Sequence, residues 1–280
     1  NTGASATSST ANVLITTPAG EGIFPNSGTP YSSTVTGGST ATWTQPTGSG
    51  STVLGIASDI DIMHYHISEF FRLQPQGKLW VGIYATADLG TFAKVTDMQN
   101  TAKGEIMQLG IYTKSTAFAT SQVTGLQSVL TALQTNNKPI SCAIISAEIS
   151  ATTDLSTVTT NLHGLSSQNV SVTIGQDGAG LGYKLWKATG KSITNLGEML
   201  GCVALSAVNN SIAWLGKFQV AGTELSTIAF ANGQNYTDLS DGLITNLDSY
   251  GFCFLRRIQD YAGTFHNRPY TCTLTTSDYA

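Results

Sequence analysis

Charge is what this 280-residue chain has least of: Asp, Glu, Lys and Arg make up 11% of it, against about 25% in an ordinary soluble domain. Thirteen Lys and Arg stand against 17 Asp and Glu, a formal net charge of −4. With no basic excess to displace counterions from a phosphate backbone, the composition speaks against nucleic acid as a partner. Apolar content of 41% with so small a net charge speaks equally against a disordered chain. Long apolar runs are missing too. The best stretch, Leu196 to Leu215, is broken by Glu198, Asn209 and Asn210, well short of the ~18 uninterrupted residues of a membrane span, so no membrane is expected as partner. Cysteine pairs are absent as well: Cys142, Cys202, Cys253 and Cys272 lie far apart in apolar surroundings without C-x-x-C spacing. Zinc and thioredoxin chemistry lack their pattern, and buried reduced thiols are expected. The chain begins at Asn1 with neither Met nor a basic-then-apolar leader, so it is expected to be processed or to start within a longer protein. Ser, Thr, Asn, Gln and 29 Gly fill the polar deficit. Such residues can face water or another protein without an ion being desolvated, which suits a surface committed to partners.

Residues 1–52 form a Ser/Thr/Gly-rich segment in which short β-branched runs, such as Val13 to Thr17 and Ala41 to Thr44, sit between turn signals. It reads as an extended arm with loops and edge strands. From residue 53 to 175 the pattern is α/β. Ile60, Met63, Ile67, Phe70 and Phe71 recur at helical spacing behind a Ser58 cap, and Arg72 closes the helix before Pro75. Strands are expected at Lys78 to Tyr84, Ile106 to Thr113, Ile140 to Ile149 and Val170 to Ile174. Helices are expected near Val95 to Lys103, from Ser121 to Asn136-Asn137, and from Asp154 to Leu162. Strands alternating with crossover-length helices argue for a largely parallel, doubly wound sheet with helices on both faces. Beyond Gly175 come a glycine cluster, a helical region from about Leu185 to Val208, and a helix capped by Thr237 and ended by Gly251. A strand over Phe252 to Arg256 and another near Tyr270 to Leu274 follow.

No motif assembles a catalytic or metal site. Gly178-Ala179-Gly180-Leu181-Gly182 follows a strand, where a phosphate-cradling loop belongs, but its third glycine arrives one residue early for the dinucleotide fingerprint. Gly190-Lys191-Ser192 mimics the end of a P-loop, yet Leu185 occupies the position of the leading glycine. His64 and His66, two apart, point to different faces of a helix; His66 and Glu69 share a face but supply half a metal site. His163 and His266 have no evident partner. Asp59, Asp61, Asp154, Asp238 and Asp241 read as helix starters, Glu148 and Glu224 stand alone, and no Gly-x-Ser-x-Gly elbow is present. Asn-x-Ser/Thr triplets occur at Asn169, Asn209 and Asn235, two of them inside expected regular structure.

Three stretches carry a resemblance: His66 to Trp80, Ala229-Phe230-Ala231-Asn232-Gly233, and Phe252 to Thr271. Within and after the last, Phe254-Leu255-Arg256-Arg257, Ala262-Gly263-Thr264-Phe265 and Ser277-Asp278-Tyr279-Ala280 follow in order. In these blocks the chain resembles contractile tail-sheath proteins, in particular a sheath-like family of phages and prophages, over most of residues 55–280. The resemblance implies a structural subunit that polymerises as a helix around a rigid inner tube and shortens to drive it through an envelope. Its partners would be sheath neighbours, the inner tube and baseplate proteins. Its location would be a virion tail, or the bacterial cytoplasm during assembly. It further implies a sheath-like α+β domain over residues 176–280, terminal arms that add strands to neighbours' sheets, and no cofactor, since energy stored in the lattice makes an ATP site unnecessary. Family members continue past Ser277-Asp278-Tyr279-Ala280, so this chain is expected to lack a C-terminal region and to be monomeric. Candidate assembly contacts are Arg256, Arg257 and Asp278. Two other readings compete: a nucleotide- or phosphate-binding α/β enzyme using the Gly178–Gly182 loop, and a secreted adhesin, which would require an all-β body.

Overall fold

A computed structural model of the chain describes residues 10–16, 22–25, 66–84, 86–113, 117–147, 155–174, 176–177, 195–206, 211–213, 220, 229–230, 241–257, 263–268 and 271–273. The fold is mixed α/β. Strands β1 (Thr10–Thr16), β2 (Gly22–Pro25), β3 (Lys78–Tyr84), β4 (Gln108–Tyr112), β5 (Cys142–Ala147) and β6 (Val170–Ile174) build one sheet. Two short strands, β7 (Gln176–Asp177) and β8 (Ala229–Phe230), pair with each other, and β9 (Phe252–Cys253) completes the main sheet in the order β2-β3-β1-β4-β5-β6-β9. Neighbours run parallel except β2, which is antiparallel to β3.

Within residues 1–52 the structure describes two strands: β2 is an edge strand, as expected, but β1 lies inside the sheet, with Val13 in register with both Val81 of β3 and Gly110 of β4. A run this short carries no sign of whether one or both of its edges will be paired, and the polar sequence around it masked an interior strand. Another expected element takes a different form. Between β5 and β6 the structure has two 3-10 turns, Leu155–Thr157 and His163–Leu165, where a helix over Asp154 to Leu162 was expected. The Thr-rich sequence there loses side-chain freedom in an α-helix and favours local turns. The strand predicted over Phe252 to Arg256 is also two strands, β9 and then β10 (Leu255–Arg257), the latter paired with β11 (Thr264–His266) in a separate small sheet.

Both faces of the main sheet are covered. Helices α2 (Ala93–Thr101) and α3 (Thr120–Thr135) pack one face with Val95, Met98, Val123, Leu126, Leu130 and Leu133. Helix α1, described over residues 66–73, and α4 (Leu196–Leu205) pack the other with Phe70, Leu196, Met199 and Leu200. Strand residues alternate between the two cores: Trp80, Leu109, Ile111, Ala143, Ile145 and Phe252 face α2 and α3, whereas Leu79, Tyr112, Ile144 and Cys253 face α1 and α4. Helix α5 (Asp241–Ser249) adds Leu247 to the first core, and its chain turns away at Gly251, whose φ of +83° suits glycine. Beyond residue 175, β9, α4 and α5 thus serve the main sheet, while β7–β8 and β10–β11 form two small sheets of their own.

The α1–α4 joint is set by Gly197 and Gly201, one turn apart. A Cβ on Gly197 would lie 2.2 Å from the carbonyl oxygen of His66, and one on Gly201 would lie 3.1 Å from that of Phe70. The helices approach backbone to backbone, which only the missing side chains permit. His66 completes the joint: its Nδ1 accepts a hydrogen bond from the Gly197 amide at 3.3 Å, satisfying a donor in the first turn of α4, and its ring packs on Tyr112 with centroids 5.3 Å apart. Burial holds His66 neutral, its pKa pushed down to about 3, and does the same to His266, at about 4.

Two predictions follow from the joint. Gly197→Ala would gain roughly 1 kcal/mol of helix propensity, but forcing the helices apart outweighs it at about 1–3 kcal/mol; denaturant melts should show net destabilisation, and a more stable variant would refute the packing. Histidines with folded pKa values below the unfolded value of about 6.5 stabilise the protein fully above that pH and lose the contribution as pH falls. As pH falls from 6.5 to 5, stability should therefore decline ever more steeply, the slope approaching about 1.4 kcal/mol per pH unit for each of His66 and His266. His66→Asn, still a neutral acceptor, should remove about half of that slope, as read from urea melts across the range.

Candidate assembly surface

Small charge content leaves neutral amides to perform the internal polar work. Gln74 and Gln108 donate from Nε2 to the carbonyls of Ala204 and Val203 at 3.1 and 3.2 Å, satisfying the last turn of α4. Gln99 donates to the carbonyls of Ile106 and Lys138 and accepts from the Ile106 amide, tying α2 to the starts of β4 and β5. The buried Thr173 hydroxyl donates to Asn195 Oδ1 at the entry to α4. None of these contacts desolvates an ion, so each stabilises at modest expense.

The charges that do approach the interior are mostly paired. Arg72 bonds Glu69 at 2.5 Å and the buried Glu198 at 3.3 Å, Lys78 meets Glu105, Lys94 lies 3.8 Å from Asp97, and Arg268 lies 3.7 Å from Asp248. Glu69, which shares a helix face with His66, is therefore engaged in an ion pair, and among the described residues no cluster of three His, Cys, Asp or Glu could hold a metal. The four thiols are unpaired with one another. Burial pushes Cys142 up to about 11 and Cys272 up to about 12; burial, with Glu198 alongside, raises Cys202 to about 12. The raised values hold these three thiols protonated, as packing groups are.

Of the three candidate contacts, Arg256 is the one whose side chain the structure describes. It stands on β10 opposite Phe265, half-buried, with Nε enclosed and no hydrogen-bond partner. Arg257 is placed opposite Thr264 by its backbone. The side chain of Arg257, Asp278 and the Gly178–Gly182 loop lie outside the described residues, as do Ser58, His64 and Thr237. The loop begins directly after β7.

What positions Arg256 is a residue that sequence reasoning did not single out. At Phe254 the chain leaves the main sheet for the small one, and Asn267 clasps that step. Its Oδ1 accepts from the Phe254 amide, its Nδ2 donates to the Phe252 carbonyl and to Asp248 Oδ1, and its own amide donates to the Phe254 carbonyl, each at 2.9 Å. One buried amide thereby joins β9, β10, β11 and the end of α5. The signal was there in Asn267-Arg268-Pro269, inside a stretch that carries the family resemblance, but an Asn before Arg-Pro reads first as a turn residue. The C-terminal end of this region is anchored in turn: residue 272 pairs with Ser167 beside β6, and the Thr273 carbonyl lies 2.9 Å from His163 Nδ1. Arg256 is thus carried on a hairpin fastened to a rigid body, able to present charge at a defined place. No helix of the described residues is long and apolar enough to cross a membrane.

A family model described as DUF2586, N-terminal domain, matches residues 15–268. Among solved structures, the chain is similar to that described as the cryo-EM structure of the anti-feeding prophage (AFP) helical sheath in contracted state. The identity is 14% and the TM-score 0.50, over 97% of this chain and 67% of that one. At that identity the likeness is one of fold. No curated protein sequence matches the chain.

Replacing Asn267 with Ala strands the Phe254 amide and the Phe252 carbonyl in a buried setting. At about 1–3 kcal/mol for each buried group left unsatisfied, N267A should be strongly destabilised. N267D, which turns a carboxylate toward Asp248 and the Phe252 carbonyl, should be at least as unstable; a wild-type urea midpoint in either variant would show that the clasp carries little energy.

Proposed function

The chain belongs to the DUF2586 family, and from that premise we propose that it is a structural subunit of a contractile tail sheath, of a phage, a prophage or a related injection system. It polymerises around an inner tube and contracts, and it carries out no catalysis. The observation behind this reading is the fold shared over 97% of the chain with a prophage sheath. Physical support comes from the body itself. A sheet packed on both faces, with helices locked at Gly197 and Gly201, is not continuously deformable, so shape change in a polymer of such bodies is confined to the contacts between them. Few ions and many neutral polar groups suit a subunit covered on several sides by copies of itself, because each ion buried at an interface needs a partner. Inner-tube and baseplate proteins are the further partners of this reading, and Arg256, Arg257 and Asp278 its candidate contacts. The place of action is then a tail, with assembly in the bacterial cytoplasm.

Electron microscopy of the full protein should show long, hollow, striated tubes. In thermal-shift measurements with nucleotides and inorganic phosphate the melting temperature should stay constant. Discrete particles that never associate, together with concentration-dependent stabilisation by nucleotide, would overturn the sheath reading in favour of a phosphate-binding enzyme.

A further inference from the structure

Among the residues whose side chains are described, a buried or half-buried ion normally has a partner: Glu69 and Glu198 have Arg72, Lys78 has Glu105, Lys94 has Asp97, and Asp248 has Arg268. The ammonium of half-buried Lys138 is held by Asn100 Oδ1 at 2.7 Å. Two half-buried ions stand outside this pattern, and they are of opposite sign. Asp88 sits in a 3-10 turn, Thr86–Gly90, where its backbone carbonyl accepts from Thr91 and Phe92, but its carboxylate has neither an ion pair nor a hydrogen bond among the described residues. Arg256 on β10 is in the same position, with its Nε enclosed and unsatisfied. A chain this poor in charge has little reason to keep two partly desolvated ions apart. An unpaired ion at that depth is unfavourable, and the deficit is relieved only when an opposite charge arrives.

The two do not meet within one chain, and the topology separates the elements that carry them. Asp88 follows β3, next to one edge of the sheet, and Arg256 follows β9, the strand at the other edge. Five strand steps lie between β3 and β9, about 24 Å at a spacing of about 4.8 Å. We propose that Asp88 of one copy pairs with Arg256 of a second copy, in a head-to-tail contact along the direction of the sheet. Two different patches meet in such a contact, so it is heterologous: repeated from copy to copy it closes a ring or climbs as a helix, whereas a contact of one patch with itself stops at a dimer. The Arg256 guanidinium swings outward to meet the carboxylate, which frees its enclosed Nε to take part in a bidentate pair. Rigid presentation matters at both ends. Leu89, beside Asp88, is buried in the core under α3, and the Asn267 clasp holds the root of β10. The inference rests on the self-assembling reading of the chain and specifies one of its contacts.

The test uses the full protein and compares wild type with D88R, R256D and the double exchange D88R/R256D. Assembly is measured by sedimentation and electron microscopy in low and high salt, and folding of each variant is checked by circular dichroism and melting. Each single exchange places like charges face to face and should lower the polymerised fraction about tenfold or more. The double exchange should restore it, and added salt should weaken wild type and double exchange alike. The neutral variants D88N and R256Q should each show a smaller loss of assembly with melting no lower than wild type, which guards against a folding defect in the charge-reversed proteins. If folded single variants polymerise as wild type does, or if the double exchange fails to recover, the pairing is wrong while the sheath reading stands. If wild type itself does not associate under any condition, the sheath reading falls and the pairing with it.

Discussion

A largely parallel sheet covered on both faces leaves little place for an ion along its strands, where the described side chains include Lys78 at the very start of β3, and the rest of this molecule follows from that constraint. Each strand must supply apolar side chains to two cores at once, as Leu79 and Trp80 or Ile144 and Ile145 do on adjacent positions. Within the strands, the buried polar side chains are neutral, and several are paired. Thr173 reaches Asn195, and the Thr113 amide and hydroxyl both turn to Ser146. Scarcity of charge is thus partly an interior property, set by how many strands have two buried faces, rather than wholly a property of the surface.

The same constraint explains how the helices are held. Beside the Arg72–Glu198 ion pair between α1 and α4, the layers are fastened by close backbone approach and by amide side chains. Gly197 and Gly201 let α4 settle onto α1 closely enough for His66 to cap it, and Gln74 and Gln108 tie down its other end. A helix fixed at both ends and packed along its length has no soft direction. Asn267 does for the small β10–β11 sheet what these residues do for α4, converting a step between two sheets into a rigid joint. A body built this way resists deformation, which fits the proposed place of the chain in a contracting polymer.

Much of this was legible in the residues. Helical spacing in Val123, Leu126, Leu130 and Leu133 marked α3, and the apolar run of β3 announced a strand buried on two faces. Other features were not. β1 looked like part of an arm because pairing on both edges leaves no trace in a short β-branched run. The strand at Phe252 was read as continuous because its apolar pattern does not break where its hydrogen bonds change partner, at Phe254. Of the candidate contacts, Arg256 came from the family resemblance; Asn267 lay in the same stretch but read first as a turn residue, and Asp88 carried no local signal, since what distinguishes it is the lack of a partner elsewhere in the chain.

By itself, the sequence determined the chemical character of this protein: a chain with few ions and inert thiols, α/β in periodicity, and no local motif for catalysis or metal binding. Those properties depend on which side chains are present and on spacings of a few residues. Tertiary structure decided which strand lies in the middle of the sheet, which glycines face a neighbouring helix, and which charges are left over once the rest have paired. Each of these is a relation between residues as far apart as Arg72 and Glu198 or Thr173 and Cys253. Pairing across such distances is set by the packing of whole layers, and no window of sequence contains it.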